Sequence, residues 1–114
     1  MEAQATSKYL RISAFKARQV VRLIQGRPAL ESLATLELMP RKAARLAAKT
    51  LKSAIANAGG GDEQSVDPRK LMVKEAVVGE GPTMRRFRPR ARGMAGRIRK
   101  RTSHIKITLT DESA

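Results

Sequence analysis

Residues 84–106 carry the densest chemistry in the chain. Arg85, Arg86, Arg88, Arg90, Arg92, Arg97, Arg99, Lys100, Arg101 and Lys106 lie in this run, with no Asp or Glu among them. A guanidinium presents a planar fork of donors that meets phosphate bidentately and stacks on bases, which an ammonium does less well. Eight arginines to two lysines therefore point to structured RNA, where phosphates crowd in from several directions. A second set, Lys42, Arg45, Lys49 and Lys52, is spaced 3, 4 and 3, so it shares one helix face. That stretch holds no carboxylate, whereas a merely solvated face normally mixes signs for i, i+4 support. Phosphate contact is the better reading of the set. Lys16, Arg18 and Arg22 repeat the pattern more weakly.

Other chemistries are poorly supplied. There is no Cys, so disulfides, thiolate metal sites and thiol nucleophiles are excluded. His104 is the one histidine, and no nucleophile or carboxylate is placed to work with it. It reads as a hydrogen-bonding or RNA-contacting residue, not a catalytic base. No cofactor is expected. Aromatics are limited to Tyr9, Phe15 and Phe87, too few for a base-stacking platform. No apolar run approaches the ~20 residues of a membrane span. The residues from Met1 to Ala5 lack the basic start and apolar stretch of a signal peptide, so a cytoplasmic protein is expected.

The elements that must position these cations read from the rest of the 114 residues. The chain has 24 Lys and Arg against 10 Asp and Glu, a net charge of +14. Such an excess destabilises a compact state by self-repulsion unless a polyanion neutralises it. Residues 3–12 contain a strand ending in Tyr9-Leu10-Arg11-Ile12. Ser13 is placed to cap a first helix, in which Ala17, Val20, Val21 and Ile24 follow one apolar face, with Gly26 at its end. Pro28 opens a second helix, whose expected buried face is Leu30, Leu33 and Ala34. The third, Arg41 to Ala58, is alanine-rich, with a stripe of Ala44, Ala47, Ala48, Leu51, Ala54, Ile55 and Ala58. Gly59-Gly60-Gly61 stops it, and residues 59–70 read as an exposed loop.

Beyond that loop the period changes to two. Leu71 to Val78 reads as a strand, and Ile105, Ile107 and Leu109 alternate with Lys106, Thr108 and Thr110 in a half-buried one. The expected fold is α+β: three helices packed on a small three-stranded antiparallel sheet, as a single domain over 1–114. Residues 82–101 lie between two strands and have little apolar surface, so they are expected to form a long projecting basic β-hairpin. Gly93 and Gly96 could supply its turn. Arms of about ten residues would reach roughly 30 Å, well beyond a body of about 13 Å radius of gyration. Two strands alone are marginal in water, so ordering such a ribbon calls for an anionic host.

Several stretches together resemble the bacterial large-subunit ribosomal protein twenty-two family. They are Lys52-Ser53-Ala54-Ile55-Ala56-Asn57-Ala58, Gly79-Glu80-Gly81-Pro82, Met84-Arg85-Arg86 with Pro89-Arg90-Ala91, and Lys100-Arg101-Thr102-Ser103-His104-Ile105. Ile12-Ser13 with Lys16 and Arg18, then Leu23-Ile24-Gln25-Gly26, match in order and spacing. The resemblance covers about residues 5 to 110. It implies a structural constituent of the large ribosomal subunit that binds large-subunit ribosomal RNA and aids its assembly, with neighbouring ribosomal proteins as partners and one copy per ribosome. It also implies a body near the exit of the peptide tunnel. The hairpin tip, taken as Met84, Arg85, Arg86, Pro89, Arg90, Ala91, Arg92 and Gly93, would line the tunnel wall beside the nascent peptide, near where macrolides bind. The RNA-binding set it suggests is Arg11, Lys16, Arg18, Lys42, Arg45, Lys49, Lys52, Asn57, Arg85, Arg86, Arg88, Arg90, Arg92, Arg97, Arg99, Lys100, Arg101 and His104. The family commonly reads Pro-Arg-Ala-x-Gly-Arg-Ala at the tip, while this chain has Met94 after Gly93, one cation fewer.

A histone-like DNA-bending protein would also combine helices with an Arg- and Pro-containing β-arm. It would be a dimer with two arms and would bind duplex DNA. Here the arginine tally is higher and the helix order differs. A membrane-active cationic peptide would need a broad apolar face beside its charges, which residues 84–101 lack.

Overall fold

The computed structural model describes residues 2–59, 67–81, 84–89, 95–100 and 102–111, with 84–89 and 95–100 described by their backbone. In chain order the elements are β1 (Glu2–Leu10), α1 (Ala14–Val21), α2 (Ala29–Leu38), α3 (Lys42–Ala58), a 3-10 turn (Pro68–Lys70), β2 (Met72–Glu80), β3 (Met84–Pro89), β4 (Ala95–Lys100) and β5 (Ser103–Thr110). β5 is central in an antiparallel sheet ordered β1-β5-β2, and β3 and β4 form a separate two-stranded sheet. The class is α+β, as the periodicities imply.

α3 is the axis of the body. Its alanines let it lie close to the sheet, and Ala44, Ala47, Leu51 and Ala54 are completely buried against β1 and β5. Thr50 is buried on the same helix, where its hydroxyl meets the Leu46 carbonyl at 3.0 Å and Ser7 Oγ at 2.7 Å. α1 packs on β2 and α3 through Ala17, Val20 and Val21. Ser13 caps it, accepting from the Lys16 amide at 3.4 Å.

Three local expectations are corrected. α1 stops at Val21, not at Gly26, because the chain tightens into turns, with Leu23 N–H to Val20 O and Ile24 N–H to Val21 O. Ile24 is still fully buried, and Gly26 sits at φ 74°, a left-handed conformation that glycine adopts at no steric cost. From there residues 26–29 run along the outer edge of β2. Gly26 N–H reaches Val73 O, Val73 N–H reaches Arg27 O and Ala29 N–H reaches Leu71 O, each at 2.9 Å. Secondly, α2 buries Ala29, Ser32 and Leu36, while Leu30 and Ala34 face outward and Leu33 is half-buried. It packs on α3 and the 3-10 turn, so contacts distant in sequence chose its buried face. Thirdly, β1 ends at Leu10, short of Ile12. Tyr9 takes φ 57°, and the register with β5 shifts between Ser7 and Leu10.

β5 is buried further than alternation suggests. Ile105, Ile107 and Leu109 are completely enclosed, and Thr108 and Thr110 are buried as well, since a strand lies on each side. In β2 a bulge between Val73 and Glu75 breaks strict alternation, leaving Val73, Ala76 and Val78 inward. Glu2 and Lys74 form an ion pair between the two outer strands, which holds the Glu2 carboxyl below the usual carboxylate range.

Candidate nucleic-acid interface

α3 turns its alanine stripe to the sheet, and the same geometry fixes where its cations go. Lys42, Arg45, Lys49 and Lys52 are all exposed on the opposite side. They border two grooves. One, of about 340 Å³, lies between the starts of α1 and α3, lined by Ile12, Lys16, Gln19, Arg41, Lys42 and Ala43. Here Lys42 Nζ donates to the Arg11 carbonyl at 2.8 Å, and Arg41 Nη1 donates to Gln19 Oε1 at 3.5 Å. These bonds hold Arg41 and Lys42 at a concavity that Lys16 also lines. Arg41 was not singled out by spacing, because it precedes the helix as its N-cap residue.

The second groove, of about 280 Å³, lies between α2 and α3 and is lined by Leu36, Glu37, Arg45, Ala48, Lys49 and Lys52. Glu37 pairs with Lys52 at 3.1 Å. The cationic row is therefore not free of carboxylates in space, although α3 contains none. Both partners are more than a third exposed, so water screens the pair, and Arg45 and Lys49 keep the groove cationic.

Arg18 and Arg22 border a smaller groove of about 200 Å³ with Gln25 and the end of β2. Arg18 Nη2 donates to the Val78 carbonyl at 3.2 Å, and Gln25 Nε2 donates to Ala76 O. Both bonds tie α1 to β2. Asn57 also acts within the chain: Nδ2 donates to the Gln4 carbonyl at 2.9 Å and pins the end of α3 to β1.

His104 belongs to the base of the ribbon. Its Nδ1 accepts the Tyr9 backbone N–H at 3.0 Å, and the two rings meet edge to face with centroids 5.0 Å apart. Gly81 lies against it. A Cβ at 81 would fall 2.4 Å from Thr102 Oγ1 and 3.2 Å from His104 Cε1, so only glycine fits without displacement. Gly81 N–H donates to Thr102 O at 2.9 Å, closing the β2–β5 ladder where the ribbon leaves it.

β3 and β4 pair antiparallel in register from Met84↔Lys100 to Pro89↔Ala95. Met84, Arg85 and Arg86 thus lie at the end next to the main sheet, and Pro89 at the turn end. Along the ribbon Arg85 is paired with Arg99, Arg86 with Ile98 and Phe87 with Arg97. Arg90, Arg92 and Arg101 fall outside the described residues, as do Ala91 and Gly93. Among the described residues no group of His, Asp and Glu could hold a metal ion, and no helix is long and apolar enough to cross a membrane.

Cationic faces on α1 and α3 together with an arginine-rich two-stranded ribbon define a polycationic α+β protein. The chain belongs to the family described as ribosomal protein L22p/L17e, whose model matches residues 5–110. Among its relatives is the large ribosomal subunit protein uL22 of Chloroflexus aggregans, 50% identical over 113 residues, which cover 99% of this chain and 98% of that one. The protein of the same name from Akkermansia muciniphila is 54% identical over 98% of each chain. That of Clostridioides difficile is 48% identical over 98% of this chain and 99% of its own.

Proposed function

We propose that this chain is a non-enzymatic structural component of the large ribosomal subunit, working in the cytoplasm, which binds ribosomal RNA and helps it fold. The observation that carries the reading is the pairing of residues 84–89 with 95–100 into a ribbon of their own, so rich in arginine, within a chain of this family. The ribbon, taken as 82–101, threads between RNA segments. Its turn end, through Pro89, Arg90, Ala91, Arg92 and Gly93, with Met84, Arg85 and Arg86 further down the strand, faces the nascent peptide in the exit tunnel.

The body supplies the second contact. Lys16 and Lys42 at the first groove, and Arg45, Lys49 and Lys52 at the second, take backbone phosphates. Arg11 adjoins the first groove through the carbonyl that Lys42 meets, Arg18 borders the smaller groove at β2, and Asn57 and His104 hold the interface in shape. Arg85, Arg86, Arg88, Arg97, Arg99, Lys100 and Arg101 carry the ribbon's share.

The test is ultraviolet crosslinking in native lysate separated on a sucrose gradient, with sequencing of the attached nucleic acid. Co-sedimentation with large subunits and crosslinks from 84–101 to their RNA are the expected result. Sedimentation with duplex DNA, away from ribosomes, would overturn it in favour of a DNA-bending protein.

A further inference from the structure

α2 departs from the rest of the molecule in charge. It is the one described element with no Lys or Arg, and it carries Glu31 and Glu37, in a chain of net charge +14. Its outward side is also apolar. Leu30, Ala34 and Leu38 stand at i, i+4 and i+8, one line along the helix, and all three are exposed, Leu30 at 41% and Leu38 at 85%. Glu37 flanks this ridge on one side and Glu31 on the other. The inward side is already used, since Ala29, Ser32 and Leu36 are buried against the body.

Such a face is a poor match for RNA. Glu37 is paired with Lys52 at the edge toward α3, but along the ridge itself phosphates would meet Glu31 and no cation of α2, and leucine side chains give nothing to a charged backbone. Exposed leucines in a row also carry a solvation cost that a partner removes. We propose that the outward face of α2 docks a neighbouring protein, through an apolar groove or strip edged by lysine or arginine. The ridge enters the apolar part as an amphipathic helix does, and Glu31 meets the cationic edge. This rests on the chain's place in a ribonucleoprotein particle and divides its surface in two. α3, its groove with α2 and the ribbon face RNA, and the ridge of Leu30, Ala34 and Leu38 with Glu31 faces protein.

The experiment uses the full chain with p-benzoylphenylalanine replacing Leu38, assembled into large subunits and purified by sedimentation before irradiation. The expected product is a crosslink to one protein chain, mapped by peptide mass spectrometry to an apolar segment with Lys or Arg beside it. Leu30→Asp in the same chain should lower the yield about tenfold, as loss of a central apolar anchor does. Glu31→Lys, which leaves the leucines intact, should lower it several-fold. Melting temperature confirms that each variant is folded. A crosslink to RNA, to an acidic or uncharged segment, or no crosslink would overturn the proposal. So would yields unchanged by both substitutions. Absence of the chain from the large-subunit fraction is seen before irradiation and would overturn the functional reading along with it.

Discussion

The two sheets of this protein use the same antiparallel pairing, but their sequences supply opposite means of stabilising it. The β1-β5-β2 sheet encloses Ile105, Ile107, Leu109, Val73 and Ala76 beneath α1 and α3. The β3-β4 ribbon is half cationic, Arg85, Arg86, Arg88, Arg97, Arg99 and Lys100, with Met84, Phe87 and Ile98 as its larger apolar residues. Burial of apolar area holds the first together in water. The second has too little such area, and repulsion among its cations works against it, so phosphate would favour the ribbon by neutralising them. The contrast sets a part stabilised by its own core beside a part that has almost no core of its own.

Removing residues 84–98 tests this division most severely. Gly81 and Thr102 are already hydrogen-bonded, so a short loop can rejoin the chain there. The shortened protein should keep a cooperative unfolding transition and lose affinity for ribosomal RNA by about a thousandfold, with a flatter dependence of log K on log salt. Loss of cooperativity on chemical denaturation would show that the ribbon belongs to the folding unit. Leu51→Ala should do the reverse. A fully buried leucine at the centre of α3 is removed, at about 2–5 kcal/mol in urea unfolding, while RNA affinity of the folded fraction stays near native.

The junction between the two regions should respond to a single methyl. Gly81→Ala forces a carbon against the Thr102 hydroxyl and the His104 ring, so a cost of about 1–3 kcal/mol is expected in the same denaturation assay. A neutral result would mean that the base of the ribbon is more plastic than the sheet it leaves. The smallest effect concerns Glu2, whose hydrogen bond and attraction to Lys74 depress its pKa. A carboxyl depressed on folding adds stability above its unfolded pKa and loses it as pH falls through the folded value. Native protein should therefore lose more melting temperature between pH 6 and pH 3 than Glu2→Gln. The gap should be slight and should close further in high salt, because the pair is exposed. Equal slopes at low salt would remove the pair from the account of the body's stability.

Elements with strong local signals were legible in the chain itself. The alanine stripe of α3, the Ser13 cap and the strand of alternating Ile105, Ile107 and Leu109 all stand where their patterns place them. The buried face of α2 was not legible. Its leucines are frequent enough that several stripes fit, and packing against α3 selected Ala29, Ser32 and Leu36. The site divides in the same way. The four cations of α3 share a face because helix geometry alone requires it. That Glu37 answers Lys52, that Arg41 joins Lys16 and Lys42 at one groove, and that Asn57 reaches Gln4 depend on contacts between residues far apart in the chain or on separate elements.

By itself, then, the amino-acid sequence determined the class of fold, the excess of positive charge and its concentration in one apolar-poor segment. Those follow from composition and from periods of 3.6 and 2 that any local stretch displays. Only the tertiary structure decided which leucines of α2 remain outside, which cations are shared with carboxylates, and why position 81 excludes a side chain. Each of these is settled by the approach of elements that no local period encodes, and by the space left when the core has closed.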